Sequence, residues 1–138
     1  MISQFANLNW ISILIAFFAY FILGALWFTL FFTRQYKISL GRAGETLQNN
    51  KPIFIVGPAL CSLVITIASA VLINALHLQS FSEAFSFALL VGFGYLVANT
   101  VNIAINPNIP QPIYYGVISG TYHLIGILIV STILVAMK

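Results

Sequence analysis

The sequence predicts an all-α, polytopic membrane protein with four transmembrane helices. Hydrophobic residues make up 61% of the 138 residues and charged residues only 5%, whereas about a quarter of a soluble domain is charged. Long stretches without any charge, at 10–32, 53–76 and from Glu83 to Lys138, each reach or exceed the roughly 20 residues that cross a bilayer as a helix. This composition excludes a disordered segment, a coiled coil and a nucleic-acid-binding module.

The first two spans are predicted at about 10–32 and 53–76. No Lys or Arg precedes the first span and no small-x-small cleavage site follows it, so we expect a retained helix rather than a signal peptide. The remaining apolar stretch is too long for one helix. It is interrupted by three prolines between Asn106 and Pro112, and proline ends helices because it lacks the N–H group and restricts its predecessor.

That turn divides the stretch into a third span at about 84–105 and a fourth at about 113–136, with Pro112 suited to the first turn of the fourth helix. Residues 1–138 then form a single four-helix domain. The single cysteine, Cys61, permits no disulfide within the chain.

The basic residues predict the orientation. The first loop, 33–51, contains Arg34, Lys37, Arg42 and Lys51, and the other two loops contain no Lys or Arg. The positive-inside rule then places this basic loop in the cytoplasm of a cell-membrane protein, with both termini outside. We expect the four basic side chains to contact anionic lipid headgroups.

The most informative residues are polar side chains inside the third and fourth spans. At 100° per residue, one narrow stripe of the third helix and one face of the fourth collect the polar and small residues. The tight proline turn makes the two helices antiparallel neighbours. Residues at equal depth are then paired as follows: Tyr95 with His123, Asn99 with Ser119, Asn102 with Gly116, and Gly92 with Gly126. The predicted polar seam consists of Tyr95, Asn99, Asn102, Asn106, Ser119, Tyr122 and His123, and the predicted packing glycines are Gly92, Gly116, Gly120 and Gly126.

Two interpretations of this seam remain open. In the first, small residues allow close backbone approach while Asn, Ser and His side chains form hydrogen bonds between helices. In the second, the stripe lines a narrow hydrated path with His123 as the titratable group, because intramembrane ionisable residues often mark ion or proton routes.

The first and second helices show simpler patterns. Five aromatic and small residues share one face of the first helix, a pattern typical of a packing or lipid-facing surface: Phe17, Tyr20, Gly24, Trp27 and Phe31. Ser62, Thr66 and Ser69 share one face of the second helix, where their hydroxyls can bond to their own backbone.

No catalytic constellation is evident. Glu45 and Glu83 are predicted on opposite sides of the membrane, so they cannot act as a carboxylate pair. His77 and His123 are predicted at different depths, with no acidic or thiol group beside either to complete a metal site. We therefore expect no enzymatic activity, no metal and no cofactor.

Parts of the sequence resemble a known family. Asn9-Trp10 opens the first helix, and Leu23-Gly24-Ala25-Leu26-Trp27-Phe28 followed by Leu30-Phe31 ends it. Together with Gly92-Phe93 and Tyr122, these residues resemble the small bacterial membrane proteins catalogued as domain of unknown function 1761. The resemblance covers nearly the whole chain and implies a four-helix membrane protein. It implies no activity, so no residue role is carried over.

The sequence therefore predicts an integral membrane protein of unknown activity. The function we favour is a small channel-like or transporter-like protein with its path along the seam, for a solute or ion that the sequence does not identify. The alternative is a structural or accessory membrane protein whose seam only packs helices or a partner. We also expect a homo-oligomer, because four short helices enclose little space and the small-residue faces offer association surface.

Overall fold

The computed structural model describes residues 2–46 and 51–138. Throughout these residues the regular structure is helical, which confirms the all-α prediction. Four helices are long and apolar enough to cross a membrane: Trp10–Phe31, Ile53–Ala75, Phe81–Ala104 and Pro112–Ala136, called here the first to fourth spans. A short 3-10 helix, Ile2–Asn7, precedes the first span.

The ends of the spans follow local capping chemistry. The side chain of Asn9 accepts hydrogen bonds from two backbone N–H groups in the first turn of the first span. Ser80 and Glu83 form a reciprocal capping box, so the third span begins at Phe81 rather than at the predicted residue 84. Glu83 therefore belongs to the first helical turn and not to the preceding loop.

The basic loop at 33–51 is more structured than predicted. A seven-residue helix, Thr33–Ser39, follows the first span directly. Within this helix Tyr36 packs its ring against Phe28, with 4.9 Å between the ring centroids. The part of the predicted loop at 47–50 lies outside the described residues.

The fourth span is the central element of the bundle. The first, second and third spans all pack against it, and the second span also packs against the first. Fully buried side chains of the fourth span, including Ile127, Val130 and Ser131, lie at these contacts. The fourth span therefore contributes side chains to the interfaces with all three other spans.

Long-range hydrogen bonds show which parts of the chain lie together at each end of the bundle. At one end Asn9 donates to the carbonyl of Met137 at 2.7 Å, and the Lys138 ammonium donates to the carbonyl of Leu78 at 2.8 Å. At the other end the Gln111 N–H donates to the Ser39 carbonyl, joining the proline turn to the short helix. Both termini therefore share one end with Glu83, while Arg34, Lys37 and Arg42 lie at the other.

Two spans contain a segment of π-helix, in which hydrogen bonds run between residues five apart. The first segment, Trp27–Phe31, ends the first span, and the second, Gly92–Val97, interrupts the third. Such a segment inserts about one extra residue into the helical turn, so the residues after it are rotated relative to a continuous α-helix. This rotation decides which side chains of the third span face the bundle.

Candidate functional site

A tyrosine and a histidine form the central polar contact of the bundle. The Tyr20 hydroxyl and Nδ1 of His123 share a hydrogen bond of 2.6 Å between the first and fourth spans. Tyr20 is fully buried, and His123 is half-buried. When Tyr20 donates this bond, the histidine proton is carried on Nε2.

Both residues lie near the middle of their helices. At about 1.5 Å per residue, Tyr20 is roughly 15 Å from the start of the first span, and His123 roughly 16 Å from the start of the fourth. Half of a bilayer's hydrocarbon thickness is about 15 Å. The pair therefore lies close to the membrane midplane.

Glycines create the space for the aromatic rings of this site. A Cβ atom at Gly126 would lie 2.0 Å from Cε2 of Tyr20, so only glycine leaves room for the ring. The relation is reciprocal, because a Cβ atom at Gly24 would lie 2.7 Å from the Tyr122 hydroxyl. Each of the two helices thus inserts a tyrosine over a glycine of the other, and the two rings lie 5.3 Å apart.

An aromatic cluster continues from this pair toward the basic end. Tyr122 meets the edge of Phe28 with 5.3 Å between ring centroids. The indole N–H of Trp27 donates to the carbonyl of Ile118 at 3.1 Å, which joins the first span to the fourth about one turn closer to the basic end. These contacts pack the half of the first span nearer the basic end against the fourth span.

Buried hydroxyl groups of the second and fourth spans differ in their hydrogen bonding. Ser62, Thr66 and Ser69 each donate to the carbonyl four residues earlier, as their spacing predicted. Ser119 and Ser131 of the fourth span are buried, yet their hydroxyls have no hydrogen-bond partner among the described residues. A buried hydroxyl without a partner is costly, so these two positions are suited to a water molecule or another polar species.

The predicted seam is divided by the structure. Ser119 and Tyr122 are buried and His123 is half-buried, and Tyr20 packs against both Tyr122 and His123. Tyr95, Asn99 and Asn102 do not face them: all three are exposed on the opposite side of the third span. The prediction that Tyr95 faces His123 is therefore wrong, and Tyr20 takes that place.

Asn106 belongs to the proline turn. Its side chain donates to the Ile103 carbonyl at 2.7 Å and accepts from the Asn108 N–H at 2.8 Å. These bonds close the chain after the third span, which is a turn-forming role.

The π-helical segment explains the difference on the third span. Gly92 precedes it and faces the fourth span, where a Cβ atom would lie 2.7 Å from Cδ1 of Leu124. After the segment, Val97 lies beside Gly120 and Val101 beside Gly116. The predicted neighbour of Gly116 is Asn102, one residue after Val101, and one residue corresponds to about 100° of helix rotation. That rotation turns the asparagines outward and leaves valines in the interface.

The interface between the third and fourth spans is consequently apolar. A shallow groove of about 250 Å³ runs along its surface. Its lining includes Val97, Val101, Val117 and the two glycines Gly116 and Gly120. It contains none of the predicted amide groups.

Sequence reasoning missed Tyr20 and Trp27 as polar members of the site. Their shared face with Gly24 was recognised but interpreted only as a packing or lipid-facing surface. The available signal was the pairing of aromatic residues with glycines on two helices, Tyr20 with Gly126 and Tyr122 with Gly24. The fifth member of that predicted face, Phe31, is exposed and is the last residue of the first π-helical segment.

The basic end presents its charges to the surroundings. Arg34, Arg42 and Lys51 are exposed, Lys37 is half-buried, and Arg42 lies 3.7 Å from the Glu45 carboxylate in a solvated pair. Burial beneath this surface, together with the neighbouring hydroxyl of Tyr115, raises the pKa of Tyr36 to about 12. Tyr36 therefore remains neutral at physiological pH.

Comparisons with known proteins identify a family and no individual relative. No curated protein and no solved structure matches the chain. A family model described as "Protein of unknown function (DUF1761)" matches residues 11–135, which contain all four spans apart from Trp10 and Ala136. The chain belongs to the DUF1761 family and is an integral membrane protein of that family.

Proposed function

We propose that this protein is a small channel-like or transporter-like protein whose path passes the Tyr20–His123 pair. The observation that carries the proposal is the 2.6 Å hydrogen bond of a histidine near the membrane midplane. Histidine can bind and release a proton near physiological pH, and ionisable residues at this depth often belong to proton or solute routes. The path proposed here lies between the first and fourth spans, not along the outward residues of the third.

The unpartnered hydroxyls support a polar route along the fourth span. Ser119 lies one helical turn from His123 toward the basic end, and Ser131 lies two turns away in the other direction. Each provides a hydrogen-bonding position for a passing water molecule or solute. Tyr20 and Tyr122 fill the space between them, so conduction requires these rings to move, and we propose that they form the gate.

We further propose the orientation and setting of the protein. The end with Arg34, Lys37, Arg42 and Lys51 faces the cytoplasm of a bacterial cell, where these side chains contact anionic headgroups. Both termini are then outside. Lys138 fits this orientation because its ammonium is engaged by the carbonyl at the end of the second span and by that of Leu78. We also propose that the chain acts as a homo-oligomer and is not an enzyme.

The alternative is a structural or accessory role in which the site only packs helices. The reciprocal insertion of tyrosines over Gly24 and Gly126 favours it, because such close packing is sufficient to join two membrane helices. The two functions differ in whether water or protons reach the midplane.

Proton flux into reconstituted liposomes tests the proposal. Potassium-loaded vesicles with a trapped pH dye are treated with valinomycin, and acidification is compared with protein-free vesicles. We expect the wild type to acidify its vesicles faster than protein-free vesicles, and His123→Asn to return the rate to that background. The matched control is His77→Asn. His77 lies in the loop that follows the second span, away from the Tyr20–His123 pair, and its left-handed backbone is one that Asn tolerates.

Thiol accessibility separates a solute path from packing. Cys61 is replaced by Ala, one cysteine is placed at Ser119 or His123, and vesicles are treated with a membrane-impermeant maleimide; Val64→Cys, on the lipid-exposed face of the second span, is the control. Labelling at 119 and 123 without proton flux would identify a path for another solute. Protection of both positions together with background flux would reject transport in favour of the packing role.

A further inference from the structure

The outward face of the third span contains polar groups in an unusual position. Tyr95 is 70% exposed, and Asn99 and Asn102 are exposed beside it on the side turned away from the fourth span. Among the described residues none of these three side chains has a hydrogen-bond partner, whereas the neighbouring Thr100 donates to its own backbone at Leu96. We call Tyr95, Asn99 and Asn102 the amide face.

The depth of this face makes it costly in a monomer. Asn99 lies about 7.5 Å from the inner end of the third span at Ala104, and Tyr95 about 13.5 Å, so both are within the hydrocarbon layer. Carboxamide groups in hydrocarbon without partners are unfavourable, because no water is present to satisfy them. The amide face therefore needs a polar partner at the same depth.

We propose that a second copy of this chain covers the amide face and forms a symmetric dimer through the third span. Two copies inserted in the same orientation are related by an axis along the membrane normal, which places Asn99 of each copy at equal depth. A carboxamide is both donor and acceptor, so the face is complementary to itself. The proposal rests on the oligomeric part of the proposed function and is independent of the path through Tyr20 and His123.

Small residues beside the amide face permit the close approach that such hydrogen bonds need. Gly94 has open space around it, since a Cβ atom there would meet nothing within 4 Å. Ala98, four residues later, is also exposed. Gly94 and Ala98 have the small-xxx-small spacing found in transmembrane helix dimers, and Asn102 follows at the same interval. By contrast, Gly116 and Gly120 are already occupied by Val101 and Val97 of the same chain.

Energy transfer between labelled copies in liposomes tests this dimer. Gly44 is exposed, and a Cβ atom there would meet none of the described residues within 4 Å. It is replaced by Cys in a Cys61→Ala background and labelled with a donor or an acceptor dye. The full chain is then diluted with lipid and the dissociation constant is measured. We expect Asn99→Leu combined with Asn102→Leu to weaken dimerisation at least about tenfold, as expected for the loss of interhelical hydrogen bonds.

Three comparisons make the result specific. Asn99→Gln keeps a carboxamide and should preserve most of the affinity, while Thr132→Leu removes a polar group from the exposed face of the fourth span and should leave it unchanged. A short bis-maleimide should join copies with Ala98→Cys and not copies with Val64→Cys. A wild type that stays monomeric at every lipid ratio, or a dimer unaffected by the two leucines, would overturn the proposal. None of these readouts depends on proton flux, so failure here leaves the proposed path untouched.

Discussion

Tyr20 and Tyr95 are two tyrosines near the middle of their membrane spans with opposite environments. Tyr20 is completely buried and bonded to His123, while Tyr95 is 70% exposed and has no partner among the described residues. Their associated glycines differ in the same way: Gly126 is in contact with the ring of Tyr20, whereas nothing surrounds Gly94. The comparison shows that a polar residue in a membrane helix is directed inward by a space on the neighbouring helix, and not by its polarity alone.

The rotation of a helix about its own axis determines which of its residues face such a space. On the first span Tyr20 and Gly24 precede the π-helical turn, so they keep the face expected of a continuous α-helix. On the third span Asn99 and Asn102 follow the segment Gly92–Val97 and are rotated away from the fourth span. One extra residue in a helical turn therefore decides whether the polar residues that follow it face the interior or the exterior of the bundle.

The largest expected effect comes from exchanging glycine for alanine in the two regions. Gly126→Ala would place the added methyl group in overlap with the ring of Tyr20, which is fully buried. We expect a loss of about 3 kcal/mol or more in the free energy of unfolding, or failure to fold, at the upper end for an overpacked core. Gly94→Ala, with open space around it, should leave the thermal midpoint of the monomer in detergent unchanged or slightly higher.

Thermal unfolding of both variants at low protein concentration provides this measurement. Equal loss in the two variants would mean that both glycines are needed for backbone flexibility rather than for contact. The contrast between the two regions would then have to be abandoned.

A smaller effect is expected from removing the hydroxyl group of each tyrosine. Tyr20→Phe leaves Nδ1 of His123 without its partner, and an unsatisfied buried polar group costs about 1–3 kcal/mol. Tyr95→Phe removes a hydroxyl that has no partner in the monomer, so monomer stability should change by less than about 0.5 kcal/mol. Chemical unfolding in mixed micelles compares the two, and a Tyr95→Phe loss as large as that of Tyr20→Phe would place Tyr95 in the interior of the protein.

Hydropathy and the proline turn predicted most of the fold. The four spans follow from charge-free stretches and the proline turn, and the only boundary that moved by a full turn is that of the third span, where Glu83 completes a capping box with Ser80. These features depend on residues close in sequence. The antiparallel register of the last two spans is predicted to within one residue, because Gly116 meets Val101 where Asn102 was expected.

The site was harder to predict because it depends on the rotation of the third span about its axis and on a residue that is far away in the sequence. His123, Tyr122 and Ser119 were recognised from the fourth span alone, but the partner of His123 lies 103 residues away, on the first span. A constant 100° per residue cannot represent the π-helical segment that rotates Asn99 outward. Two weak helix formers, Gly92 and Gly94, mark that segment, yet glycines are equally common at ordinary packing sites in membrane helices.

The smallest expected effect concerns Tyr36, where the buried aromatic cluster reaches water at the basic end. Its ring packs against Phe28 and Tyr115, and burial raises its pKa to about 12, above the ordinary tyrosine value of 10.0. A raised pKa means that folding favours the neutral phenol. The stability that Tyr36 contributes is therefore complete below about pH 10 and is lost as the pH rises from about 10 to about 12.

Ultraviolet titration of tyrosinate, compared between wild type and Tyr36→Phe in micelles, measures this group directly. The difference curve should have its midpoint near pH 12, and the variant should lose less stability than the wild type between pH 10 and 12. Tyr114→Phe, which removes another tyrosine near the same end, calibrates the amplitude of a single residue. A midpoint near 10 would mean that water reaches the Tyr36 hydroxyl, and the enclosed region around Tyr20 would then end at Phe28 instead of extending to the membrane surface.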